Sequence, residues 1–93
     1  MTSRIHLHIT GRVQGVFFRH TAFQQAEALG VSGWVRNRLD GSVELVAEGE
    51  RASLDRLLRW CESGPELARV ESVRVEWDDP IGLEGGFRVR TTV

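Results

Sequence analysis

Lysine and tyrosine are absent from the 93 residues, cysteine occurs once and proline twice. Each gap closes a class of chemistry. Without lysine there is no Schiff-base catalysis and no Walker-type phosphate loop, and without tyrosine there is no tyrosine general acid. All twelve basic residues are arginine, so guanidinium is the only fixed cation. Cys61 alone makes neither an internal disulfide nor a CxxC metal knuckle. No apolar run approaches the ~20 residues that cross a bilayer. The opening Met1-Thr2-Ser3-Arg4-Ile5 alternates in polarity and holds no signal core. A cytoplasmic protein with no membrane partner is expected. An excess of one charge is missing too: twelve basic against thirteen acidic residues leave a net charge of −1. A general nucleic-acid binder would be strongly basic, so no nucleic-acid partner is expected.

What is present reads as one folded domain over residues 1–93, since 41% hydrophobic and 27% charged residues match a globular chain. Ile5, Leu7 and Ile9 alternate with Arg4, His6, His8 and Thr10, the period of a half-buried strand. Gly11 to Phe18 breaks that period and reads as a loop. Arg19 to Leu29 reads as a helix, with Ala22, Phe23, Ala26 and Leu29 on one face and Gly30 as its stop. Val31–Asn37 and Ser42–Gly49 read as two strands joined by a hairpin, with Asp40-Gly41 supplying the turn. In the second of these, Val43, Leu45 and Ala47 alternate with Glu44, Val46 and Glu48. A second helix spans Arg51 to Ser63 with Leu54, Leu57, Leu58 and Cys61 on its apolar stripe, and Gly64-Pro65 ends it. Val73, Val75 and Trp77 mark a fourth strand. Val70, on the opposite parity, predicts a bulge near Ser72. Phe87, Val89 and Thr91 suggest a short terminal edge strand. The order βαββαβ plus that edge strand predicts a ferredoxin-like α+β sandwich, two helices on one face of a mostly antiparallel sheet. Such a fold hosts many functions and does not choose among them.

Chemistry concentrates in Gly11-Arg12-Val13-Gln14-Gly15-Val16-Phe17-Phe18-Arg19, which leaves a strand, turns and opens a helix. Successive peptide N–H groups at such a junction form an anion site with the helix N-terminus. Arg19 stands where the helix dipole disfavours a cation, and its fork matches phosphate oxygens. Cysteine-dependent phosphatases flank a similar cradle with Cys and Arg; here the residue six before Arg19 is Val13. The nucleophile is missing, so water is the simplest attacking group. Asn37, at a strand end before a tight turn, is a neutral residue that can orient water without repelling phosphate.

These stretches resemble the acylphosphatase family. Gly11, Val13, Gln14, Gly15, Val16, Phe18 and Arg19 match its first signature, and Gly33, Trp34, Val35, Asn37, Asp40, Gly41, Val43 and Glu44 its second. Two long motifs in the right order are far more specific than the loop spacing by itself. The resemblance covers essentially the whole chain. It implies a metal-free, cofactor-free hydrolase that cleaves the carboxyl–phosphate bond of a small acyl phosphate. Inorganic phosphate would be both product and inhibitor. Arg19 would bind phosphate, Asn37 would position the attacking water, and the amides of Gln14, Gly15, Val16, Phe17, Phe18 and Arg19 would hold the phosphoryl oxygens.

Blander readings exist for several residues. Asn37 is also a common turn former, and Gly11 and Gly15 also serve as turn glycines. Phe17, Phe18 and Trp34 read first as packing residues, and Gln14 as contributing only its N–H. His6, His8 and His20 lack the companions of a metal set and read as solvent-facing or locally bonded. Cys61 reads as a buried inert thiol, and Glu76, Asp78 and Asp79 as a solvated strand end. The rival functions are a non-catalytic ferredoxin-like module binding phosphate, RNA or an effector, and an accessory domain of a larger carbamoyl-transfer protein. The short chain favours a freestanding enzyme, and nothing in it signals an interface, so a monomer is expected.

Overall fold

A computed structural model describes residues 1–93. The chain runs β1 (Thr2–Arg12), α1 (Phe18–Leu29), β2 (Ser32–Asn37), β3 (Val43–Glu50), α2 (Arg51–Ser63), β4 (Arg69–Asp78) and β5 (Phe87–Val89). Five strands form one sheet in the order β4-β1-β3-β2-β5. All neighbours are antiparallel except β2 and β5, which run parallel. The ferredoxin-like sandwich is therefore present, with β5 as the extra edge strand.

One face of the sheet carries both helices. Ile5, Leu7 and Ile9 of β1, Val35 of β2 and Val43, Leu45 and Ala47 of β3 point into that layer and are fully buried. Ala22 and Ala26 of α1 and Leu54, Leu57 and Cys61 of α2 meet them. Phe18 packs on Trp60 at 5.2 Å between ring centres, which ties the start of α1 to α2. Fully burying a side chain of this size contributes about 1.5–3 kcal/mol. Gly30 ends α1 in a left-handed conformation, and its N–H bonds back to the Ala26 and Glu27 carbonyls.

Two boundaries differ instructively from the sequence reading. β1 extends to Arg12, so Gly11 is a strand residue and not a turn glycine. The predicted bulge lies directly opposite it: Thr10 pairs with Ser72, Gly11 with Val70, and Glu71 is skipped. At Gly11 (φ 124) a Cβ would fall onto the Arg69 carbonyl oxygen, so the bulge crowds this position and only glycine fits. Thr91, in turn, lies beyond the three-residue β5. The chain after β5 still follows β2, with Arg90 N–H donating to Val35 O and Val93 N–H to Asn37 O.

The open face is polar but not bare. Its alternation left Glu44 and Glu48 as solvent-side residues, yet they are only 8% and 4% exposed. Glu48 accepts from Arg4 and from the N–H groups of Ile81, Gly82 and Leu83, so it binds the β4–β5 loop across the sheet. Trp34 lies on this face too, with the guanidinium groups of Arg36 and Arg90 stacked on its ring at 4.6 and 5.2 Å.

Candidate active site

Register brings the site together. Asn37 pairs with Val43, and Val43 with Ile9, so the ends of β1 and β2 share one edge of the sheet. The segment leaving β1 folds over that edge before entering α1. Between them lies a cavity of about 410 Å³ lined by Val13, Gly15, Phe17, Phe18, Arg19, His20, Asn37 and Val89. Arg19 and Asn37, 18 positions apart in sequence, thus face the same space.

The loop is shaped for close approach to its backbone. Gly15 has φ 74 and open space where a side chain would sit. Phe17 has φ 66, the only positive φ outside glycine, and it is the residue that caps α1. A left-handed conformation costs such a residue on the order of 1–2 kcal/mol, and strain of this kind gathers at functional sites. It also turns the Phe17 ring outward, 69% exposed on the cavity wall, so Phe17 is not the packing residue its sequence suggests. Phe18 is the packing residue of the pair.

None of the peptide N–H groups from Gln14 to His20 donates to an acceptor within the protein. The first turn of α1 holds no acidic side chain that could take their place. Arg19 is half-buried and makes no ion pair. Asn37 Oδ1 is the one buried side-chain polar atom in the protein without a hydrogen-bond partner. The N–H groups at the start of α1 are the orphan donors that any helix N-terminus leaves, and here the run continues back along the loop to Gln14. A run of free N–H groups beside a free guanidinium is a site built for an anion with several oxygens.

Gln14 does more than offer an N–H. Its Nε2 donates to Arg38 O at 2.7 Å and Ser42 O at 2.9 Å, which pins the loop to the β2–β3 turn. That turn is itself closed by Arg38 N–H on Ser42 O and Gly41 N–H on Arg38 O. The Ser42 hydroxyl and N–H both reach Asp40 Oδ1 and hold that carboxyl below its ordinary range. No sequence signal pointed to this brace, because its acceptors are main-chain carbonyls of a distant turn.

The histidines lie apart. His6 bonds Glu44, His8 lies 3.5 Å from an Arg74 nitrogen, and only His20 reaches the cavity. No three His, Cys, Asp or Glu side chains gather closely enough to hold a metal ion. Cys61 is fully buried under α2, and burial, with Glu62 adding to it, pushes its thiol well above the usual range.

The acylphosphatase family profile matches residues 5–89. The chain belongs to the acylphosphatase family. An acylphosphatase of Rubrobacter xylanophilus is 55% identical over 89 residues, covering 96% of this chain and 81% of the relative. One from Roseiflexus sp. is 54% identical over 87 residues, covering 94% of each. Among solved structures, an acylphosphatase from Coxiella burnetii superposes with a TM-score of 0.85 at 45% identity, covering 96% of this chain and 93% of its own. Val13, Gly15, Phe18 and Arg19 of the first acylphosphatase signature and Asn37 of the second line the cavity.

Proposed function

We propose that this protein hydrolyses small acyl phosphates to a carboxylate and inorganic phosphate, with Arg19 and Asn37 as catalytic residues. The observation that carries the reading is the unpartnered donor set: Arg19 and the N–H groups of Gln14, Gly15, Val16, Phe17, Phe18 and Arg19, on a segment of which Gly15, Phe17, Phe18 and Arg19 line one cavity with Asn37. In this reading the phosphoryl oxygens accept from those donors, which also suit the charge that builds in the transition state. The Asn37 carboxamide oxygen accepts a hydrogen bond from a water and holds the water's oxygen opposite the leaving group.

Water attacks phosphorus directly. The new P–O bond forms as the bond to the acyl oxygen breaks, and the electron pair leaves with the carboxylate. The proton of the water passes to phosphate oxygen or solvent. A leaving carboxylate with a reference pKa near ~4 needs no general acid, so positioning and charge stabilisation carry the reaction. An alkyl phosphate would need its alkoxide protonated, and the cavity's only titratable group besides Arg19 is His20, an exposed side chain. Acyl phosphates should therefore be strongly preferred over sugar phosphates.

The non-catalytic module fits less well. RNA readers of this architecture present open aromatics on strand faces, whereas Trp34 is covered by arginines and the neighbouring strand centres carry Glu44 and Glu48. The reading takes residues 1–93 as one domain that works as a cytoplasmic monomer on a free small molecule; gel filtration tests the monomer. Benzoyl phosphate tests the chemistry. Turnover insensitive to chelator, competitive inhibition by phosphate, and losses of ~10²–10³ or more in Arg19→Ala and Asn37→Ala are expected. Arg19→Lys should fail too, since an ammonium lacks the fork. Full activity in Asn37→Ala would remove that residue from the mechanism.

A further inference from the structure

The Asn37 carboxamide makes no hydrogen bond to any other group of the protein. A side chain that must aim a water is thus not held by its own atoms. Its direction rests on where the main chain places it. Asn37 shares the parity of the buried Val35 and faces the cavity side of the sheet, so Arg36 points to the opposite face. There the side chains on either side of Asn37 converge on one atom. Arg36 Nε donates to Glu44 Oε1 at 2.8 Å, and an Arg38 guanidinium nitrogen donates to the same oxygen at 3.0 Å. His6 Nε2 occupies Oε2 at 2.7 Å, which orients the carboxylate from β1.

We propose that Glu44, across the sheet from the cavity, is a positioning residue for the reaction: by gripping Arg36 and Arg38 with one oxygen it fixes the backbone of Asn37 and so aims its carboxamide. The inference rests on the reading of Asn37 as the water-orienting group. Its reach extends to the phosphate cradle, because the Arg38 carbonyl is also one of the two acceptors of Gln14. The loop keeps its second tie, Gln14 Nε2 on Ser42 O at 2.9 Å, whether or not Glu44 grips Arg38. Burial raises the Glu44 carboxyl, and the bonds from Arg36, His6 and Arg38 more than offset it, bringing it down to about 2. The clamp is thus charged throughout the neutral range. The clamp adds to the main-chain ties here, which are the pairing of Asn37 with Val43, Arg38 N–H on Ser42 O at 2.8 Å and the longer Val93 N–H on Asn37 O at 3.3 Å.

The test separates aim from fold. Misplacing a reacting group by about 1 Å can cost ~10²-fold in rate, so a loosened clamp should show in kcat. Phosphate binding, which uses Arg19 and the loop amides, should not follow. In Glu44→Gln and Arg38→Ala, kcat on benzoyl phosphate is expected to fall about tenfold, with the inhibition constant of inorganic phosphate within about twofold. Arg38→Lys, which keeps a cation in reach of Oε1, is expected to recover most of that loss. Arg38 is a partly exposed turn residue, so its variants keep the test valid should Glu44→Gln not fold. Unchanged kcat in Arg38→Ala overturns the proposal, and so does a parallel worsening of kcat and phosphate inhibition, which marks a merely structural role. If Asn37→Ala keeps full kcat, the reading of Asn37 falls and this proposal with it. If Asn37→Ala is inactive while Arg38→Ala is not, only this proposal falls.

Discussion

The two faces of the sheet treat their polar groups in opposite ways. On the open face the buried carboxylates are saturated: Glu44 takes three side-chain donors, and Glu48 takes Arg4 and the N–H groups of a whole loop. At the end of the helix-covered face, the amides from Gln14 to His20, the Arg19 fork and the Asn37 carboxamide are left without partners in the protein. An unmade hydrogen bond is expensive for a buried group such as Asn37 Oδ1, and here it lies beside a run of donors longer than a helix start leaves by itself. The contrast separates groups that hold the fold from groups that await a ligand.

Mutating one group from each face gives the largest effect that could break this contrast. Arg19→Ala should lose ~10²–10³ or more in turnover and leave the urea midpoint nearly unchanged. Glu48→Ala should do the reverse, costing about 3 kcal/mol by stranding Arg4 and the loop donors while turnover persists. If both variants lost both properties, the division between the faces would be wrong.

Acid should erode the open face next. A depressed carboxyl contributes stability that is complete above its ordinary value of 4.5 and is lost as pH falls toward the folded value of about 2 for Glu44. Discounted for partners that reach solvent, this is worth about 2 kcal/mol. Glu48, where burial is outweighed by donors from Ile81, Leu83, Arg4 and Gly82, shifts the same way. Urea midpoints should therefore fall between pH 4.5 and 2, and Glu44→Gln should flatten part of that slope.

Phosphate sharpens the other side. At about ten times its dissociation constant it should add ~1.4 kcal/mol to stability, a rise of several degrees in melting temperature for a chain this short. Arg19→Ala should lose most of that gain. The smallest effect belongs to Cys61: buried and hard to ionise, it should remain unmodified when the native protein meets a thiol reagent, as intact mass would show.

Much of this was legible in the residues because it is local. Alternation at Ile5, Leu7 and Ile9, the parity break at Val70 and the glycine stop at Gly30 each mark structure within a few positions. Arg19 and the loop amides are likewise one segment, which is why a phosphate cradle was readable there. Phe17 misled because nothing in its identity announces a positive φ; the path from β1 into α1 imposes it. Glu44 and Glu48 misled because alternation reports which face a side chain takes and not whether that face is covered. Arginines from β1, β2 and the turn, together with the β4–β5 loop, cover it here. Gln14 looked interchangeable with any residue offering an N–H, since its acceptors lie 24 and 28 positions away.

By itself the amino-acid order determined the elements, their sequence along the chain, the apolar layer and the anion-ready turn, since each follows from periodicity and backbone preference over short spans. Only the tertiary structure decided which donors stay free. That outcome depends on strand register, which sets Asn37 in line with Val43 and Ile9, and on charges from separate strands meeting at Glu44. Hydrogen-bond satisfaction is a property of atoms brought together by folding, and the chain shows it only once the sheet has formed.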